Sequence, residues 1–250
     1  MQFSAEFLSP NFSPRAQNID YIILHYTEMN FQDSVQRLMD PEYSVSAHYV
    51  INEDGMIYQL VSDDKIAWHS GVSYWRGQEK LNQNSIGIEL VNLGNHDFAK
   101  PQVSSLVKLI KFLMQKYNIS RNNIIGHADV APERKLDPGL FFPWRELASC
   151  GLGIWPDIAI SDATSAAEED LSQEKEVVYE MQVMLRKIGY KLEASGLWDA
   201  QTNQVARAFQ AKFCPEIILG YGLDFYRNMD SKYSWSKKSH QILQSIALLI

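Results

Sequence analysis

The strongest constraint on the fold of this chain is the order of its apolar patterns. Short β-branched runs of strand length, YIILHYT (21 to 27), SIGIELVNLG (85 to 94) and NNIIGH (122 to 127), are interleaved with one long helix-period segment, PQVSSLVKLIKFLMQKYNI (101 to 119). In that segment Val103, Leu106, Val107, Ile110, Leu113 and Met114 fall on one helical face. Pro101 stands near its start, where a missing N–H costs a helix nothing. SAHYVINEDGMIYQL (46 to 60) is two apolar runs around Asp54-Gly55, and Asp-Gly between such runs is a strong hairpin signal. Strands and helices alternate in this way up to about Trp144. The spacing predicts an α/β fold with a mixed central β-sheet flanked by helices.

Residues 156 to 174 change character, becoming rich in Ser, Ala and acidic residues and poor in aromatics, and read as a linker. Beyond it, VYEMQVMLRKIGY (178 to 190), DAQTNQVARAFQAKF (199 to 213) and SKKSHQILQSIALLI (236 to 250) each carry helix-period apolar residues. The expected organisation is one domain over residues 1–155, a linker over 156–174 and a small three-helix domain over 175–250. Val178, Met181, Leu185 and Ile188 on one helix and Val205, Ala206 and Phe209 on the next would give the tail a core of its own, so its removal is expected to leave the first domain folded. The terminal ILQSIALLI is too short to span a bilayer.

At 250 residues with 46% hydrophobic and 21% charged content, the chain is long enough to bury a sizeable core. Its net charge of −7, without a cluster of Lys and Arg, argues against a nucleic-acid partner. Cys150 and Cys214 are too few and too far apart for a disulfide framework or a cysteine zinc site, and read as buried thiols. The first fifteen residues hold no basic residue before Arg15 and no long apolar run, so neither a signal peptide nor a membrane span is expected there.

Chemistry-bearing residues gather in GHADVAPERKLDPG (126 to 139), whose prolines and glycine forbid a regular helix through Asp137 and Pro138. His25 and His127 stand at the ends of predicted strands and Asp137 ten residues further along a rigid loop. In alternating α/β architectures strand ends are where ligands are gathered. Two imidazoles and one carboxylate suit a catalytic zinc with its fourth position open to water. Any one of these histidines alone reads as a structural residue.

His25-Tyr26-Thr27, Ser46-Ala47-His48-Tyr49, Trp68-His69-Ser70-Gly71, Ser85-Ile86-Gly87-Ile88-Glu89 and Gly126-His127 through Lys135-Leu136-Asp137-Pro138-Gly139 resemble, in order, the motifs of zinc-dependent N-acetylmuramoyl-L-alanine amidases of the AmpD/AmiD type, over about residues 18 to 148. The tail resembles a peptidoglycan-binding domain at Met181-Gln182, Leu185, Gly189-Tyr190, Gly196, Asp199, Thr202 and Phe209-Gln210. The resemblance implies one Zn²⁺ held by His25, His127 and Asp137, hydrolysis of the amide between N-acetylmuramic acid and L-alanine, and a peptidoglycan or muropeptide substrate.

Amide hydrolysis needs a base to take a proton from water and deliver it to the departing amine. Glu89 is the candidate, since alternation along the strand turns it to the face opposite Ile88 and Leu90, where apolar surroundings would raise its pKa. Lys135, without an acceptor, would instead donate to a carbonyl oxygen as negative charge develops. His48, Trp68, His69, Trp75, Arg76, Lys80 and Asn82 are candidate substrate contacts, because aromatic faces suit sugar rings and cations suit the carboxylates of a peptide stem. His48 reads equally well as a supporting or core histidine.

Two other readings remain open. A recognition protein of the same fold would bind wall fragments without cutting them, although it has no need of three ligands plus Glu89. A zinc peptidase would cut within the stem peptide, but the HExxH motif of many such enzymes is absent. The wall-binding tail favours the bacterial envelope, periplasm or outer membrane, if a leader was removed. The missing leader favours the cytoplasm.

Overall fold

The structure is a computed structural model that describes residues 3–156 and 169–250. Residues 157–168 of the expected linker lie outside the described residues. Nine strands are described: β1 (Phe12–Pro14), β2 (Tyr21–Tyr26), β3 (Tyr49–Ile51), β4 (Ile57–Gln59), β5 (Lys65–Ala67), β6 (Tyr74–Trp75), β7 (Gln78–Glu79), β8 (Ser85–Leu90) and β9 (Ile124–Gly126). The helices are α1 (Phe31–Met39), α2 (Lys100–Tyr117), α3 (His127–Val130), α4 (Trp144–Ser149), α5 (Lys175–Ile188), α6 (Ala200–Phe213), α7 (Pro215–Tyr221), α8 (Leu223–Arg227) and α9 (Lys237–Leu248).

The central sheet has the order β4-β3-β8-β2-β9. β3, β8, β2 and β9 run parallel, and β4 is antiparallel to β3 through the Asp54-Gly55 turn, where Gly55 takes a positive φ of 88°. This is the mixed sheet expected from the sequence. Ile22, Leu24, Ile86, Ile88 and Leu90 face α2, and Leu106, Leu109, Ile110 and Leu113 close that core. Period-2 alternation turns Tyr21, Ile23 and His25 of β2 and Ser85, Gly87 and Glu89 of β8 to the opposite face. Short pairs β1-β5 and β6-β7 lie outside this sheet.

The three expected tail helices are present as α5, α6 and α9. Asp199 and Ser236 cap two of them by accepting hydrogen bonds from Thr202 N and Ser239 N. The short helices α7 and α8 were not anticipated. The packing differs from the expectation of a separate tail core. Val178, Met181, Leu185, Val205, Phe209, Trp235 and Ile242 share one buried cluster with Tyr21, Ile23, Trp75, Leu81, Ile125, Val130 and Ala131. An amphipathic period shows that a face is buried but not against what, and here the face also covers the second side of the sheet. Cys214 is buried, whereas Cys150, read as a buried thiol, is exposed. Among the described residues no helix is long and apolar enough to cross a membrane.

Candidate active site

The parallel register assembles the site. His25 on β2 pairs with Glu89 on β8, and Leu24 pairs with Gly126 on β9, so the next residue, His127, stands beside His25 at the carboxyl ends of the strands. Asp137 returns from the loop that follows α3. His25 Nδ1, His127 Nδ1 and Asp137 Oδ2 form a triangle with sides of 3.0, 2.9 and 3.0 Å. All three residues are buried, and the group could hold a metal ion. A tetrahedral centre with bonds of about 2.0–2.1 Å separates its ligands by roughly 3.3 Å, so the donor set fits with a small expansion.

The outer nitrogens account for the orientation of these rings. His127 Nε2 lies 3.2 Å from the carbonyl of Ser70 and can only donate to it, leaving Nδ1 with its lone pair facing the triangle. His25 Nε2 lies 3.1 Å from His69 Nδ1, and His69 Nε2 lies 3.3 Å from Ser85 Oγ. A donor order running from His25 through His69 to Ser85 satisfies that chain and again leaves His25 Nδ1 as an acceptor. Gly87 makes room for it, since a side chain there would run into the His69 ring.

Electrostatics support a cation-ready site. Burial pushes the His25 imidazole down to about 4, with His127 adding to the effect. Burial opposes ionisation of Asp137, but His127 and His25 outweigh it and hold the carboxyl below its usual range. Burial, reinforced by the charge of Asp137, raises Glu89 to about 8, against the opposing influence of Lys135. Glu89 Oε2 is closed to solvent and has no hydrogen-bond partner among the described residues.

The site opens into a cleft of about 470 Å³. Trp68, His69, Glu89 and Lys135 line it together with the three ligand candidates. Several other expected contacts lie elsewhere. His48 is buried behind the strands, accepting from Gly87 N at Nδ1 (3.0 Å) with Nε2 near Arg15 and the Lys65 carbonyl. Trp75 packs edge-on against Tyr190, and Arg76 donates to the Ile188 carbonyl at 2.9 Å, so both belong to the contact with the tail. Asn82 accepts from the amides of His69 and Ser70 and from Ser70 Oγ, shaping the loop that carries His69. Lys80 is exposed before a short 3₁₀ turn and does not line the cleft. Of the aromatic and cationic loop expected to meet substrate, Trp68 and His69 therefore line the cleft, whereas Trp75 and Arg76 are used internally.

The sequence reading missed other cleft residues. Arg37 comes from α1, a helix whose N-terminus is capped by Asn30. Arg134 donates to the Ser70 and Val72 carbonyls and lines the cleft. Arg227 and Met229 reach it from the tail. Adjacency to Lys135 was an available signal for Arg134; none existed for Arg227.

The family model described as N-acetylmuramoyl-L-alanine amidase matches residues 15–140. N-acetylmuramoyl-L-alanine amidase AmiD of Escherichia coli is 34% identical, covering 81% of this chain and 77% of that protein. The structure of E. coli AmiD complexed with anhydro-N-acetylmuramic acid-L-Ala-D-gamma-Glu-L-Lys superposes with a TM-score of 0.75 at 28% identity, covering 98% of this chain and 92% of that one. AmpDh3 of Pseudomonas aeruginosa, in complex with anhydromuramic pentapeptide, gives 0.72 at 28% identity over 98% and 96% of the two chains. The His25, His127 and Asp137 triangle, Glu89 and most of the cleft wall fall within the matched segment, and the chain belongs to the N-acetylmuramoyl-L-alanine amidase family.

Proposed function

We propose that this enzyme is a zinc-dependent amidase that cleaves the bond between the lactyl group of N-acetylmuramic acid and L-alanine in peptidoglycan fragments. The observation that carries the metal assignment is the convergence of His25 Nδ1, His127 Nδ1 and Asp137 Oδ2, three acceptor atoms within about 3 Å of one another. Zinc held by these three groups would supply Lewis acidity and a water activated for attack near neutral pH. Glu89, whose side chain lines the cleft, accepts the proton of the attacking water and returns it to the departing amine of L-alanine. Lys135 donates to the carbonyl oxygen as negative charge develops. Family relatives bound to anhydro-muramyl peptides support this substrate class. Arg37, Arg134 and Arg227 at the cleft suit the carboxylates of a stem peptide, and Trp68 suits a sugar face.

In this reading the tail also holds wall material. A second cleft of about 620 Å³, lined by Lys175, Trp198, Asp199, Asn203 and Gln204, shares Met229 with the first. Such a partly buried indole among hydrogen-bonding groups suits a saccharide.

Metal analysis tests the proposal. Purified protein is expected to bind about one zinc per chain, and Asp137→Ala to lose zinc and activity together. Full zinc content in that variant would remove Asp137 from the ligand set.

A further inference from the structure

The segment that joins the second and third ligand candidates is gripped by side chains from the tail. Asp129 lies two residues after His127 and is 3% exposed. Its Oδ2 accepts from Gly126 N at 2.7 Å, closing the turn on which His127 stands. Two tail groups reach the same carboxylate. Lys212 Nζ of α6 lies 2.6 Å from Oδ2, and the Tyr190 hydroxyl donates to Oδ1 at 2.6 Å. Lys212 is itself 7% exposed and also lies over the Trp144 ring, 4.1 Å from its centroid.

Further along the segment, Arg207 of α6 donates to the Pro132 carbonyl, and the Tyr226 hydroxyl of α8 donates to the Leu136 carbonyl at 2.9 Å. Leu136 immediately precedes Asp137. The Ala128 amide donates to the Asp137 carbonyl at 2.8 Å, so the turn and the ligand aspartate are held together. Four tail side chains therefore contact the stretch from Asp129 to Leu136. A loop rich in proline and charge has no internal ladder to fix it, and these contacts replace one.

Resting on the zinc reading above, we infer that Lys212, with Tyr190, is a positioning residue: through Asp129 it fixes the turn that presents His127, so the tail completes the metal site rather than only carrying the enzyme to the wall. The pair is buried and tightly bonded, and its removal should loosen the ligand as the loss of supporting partners does at other metal sites, by about 10-fold or more in affinity.

The test uses the full chain with three variants: Lys212→Met, Asp129→Asn and the two combined. Zinc affinity is read by competition with a chromophoric chelator, ligand geometry by the visible absorption of the Co²⁺-substituted protein, and fold by the urea midpoint. Each single variant leaves one buried charge unpaired and should lower both midpoint and zinc affinity. The double variant removes opposite charges, so the net charge near the metal is unchanged and the midpoint should recover. Its zinc affinity should stay about 10-fold weaker than that of the parent, with an altered cobalt spectrum. Parental zinc affinity and spectrum in the double variant would overturn the inference, since the pair would then only fasten the tail. Tyr190→Phe gives a second reading without a charge change: a few-fold weaker zinc site is expected, and unchanged affinity would count against the inference. A parent chain that binds no zinc would instead overturn the metal assignment beneath it.

Discussion

Glu89→Gln isolates one electrostatic quantity on which the proposed proton transfer depends. In the metal-free fold the Glu89 carboxyl is raised from 4.5 to about 8, first by burial and then by Asp137. The folded value lies above the unfolded one, so the fold binds this proton more tightly than the unfolded chain does. The stabilisation is therefore fully present below about pH 4.5 and is lost as the pH rises through about 8. The difference, about 8 minus 4.5, is about 3.5 pH units, or roughly 5 kcal/mol at about 1.36 kcal/mol per unit. About 4 kcal/mol of it falls between pH 5 and pH 8.5.

Glutamine has nearly the same volume and no charge at any pH, so Glu89→Gln lacks that loss. Urea unfolding of the chelator-treated protein and the variant at the two pH values measures it directly. The stability difference should shift by about 4 kcal/mol toward the variant on going from pH 5 to pH 8.5. Restoring zinc adds a positive charge that favours the carboxylate, and the gap should shrink. Parallel profiles for the two proteins would show that Glu89 is solvated, and the argument for a poised base would fail.

Other substitutions separate the roles assigned above. Glu89→Ala should retain zinc and fold but lose roughly 100-fold or more in turnover, and unchanged turnover would move the base elsewhere. Trp75→Ala should cost about 3–5 kcal/mol in urea unfolding because it empties the contact with Tyr190, whereas a rise in KM at parental stability would return Trp75 to the substrate cleft. Trp68→Ala should raise KM with little change in stability, and the reverse result would make its indole a packing group. Removal of residues 171–250 should lower the unfolding midpoint and reduce activity on soluble muropeptides as well as on sacculi, because it uncovers Ile23, Trp75 and Ile125; a stable, active fragment would show that the first domain closes its own core.

The sheet and the convergence of His25, His127 and Asp137 were legible in the sequence for a common reason. Apolar strand runs end at His25 and at Gly126-His127, and parallel strands gather their carboxyl ends at one edge. Alternation also placed Glu89 on the correct face of β8. The wall of the cleft was less legible. In α1 only Ser34, Val35 and Leu38 are buried, too sparse a stripe to stand out, so Arg37 was passed over. Trp75 and Arg76 have the chemistry of a substrate platform, and only the packed structure reveals that Tyr190 and the Ile188 carbonyl occupy them. Lys212 and Arg207 lie within a helix whose period explains its apolar face. Their partners, Asp129 and the Pro132 carbonyl, are distant in sequence.

The central claim is a zinc-dependent cut at one bond, and product analysis tests it most directly. The zinc-loaded chain is incubated with an anhydro-muramyl peptide, and the products are identified by mass spectrometry with and without a chelator. The account predicts an intact anhydro-muramic acid and a peptide with a free L-alanine amino terminus, both lost on chelation and regained with added zinc. Cleavage within the stem peptide, or tight binding by the zinc-loaded chain with no new amine, would contradict it.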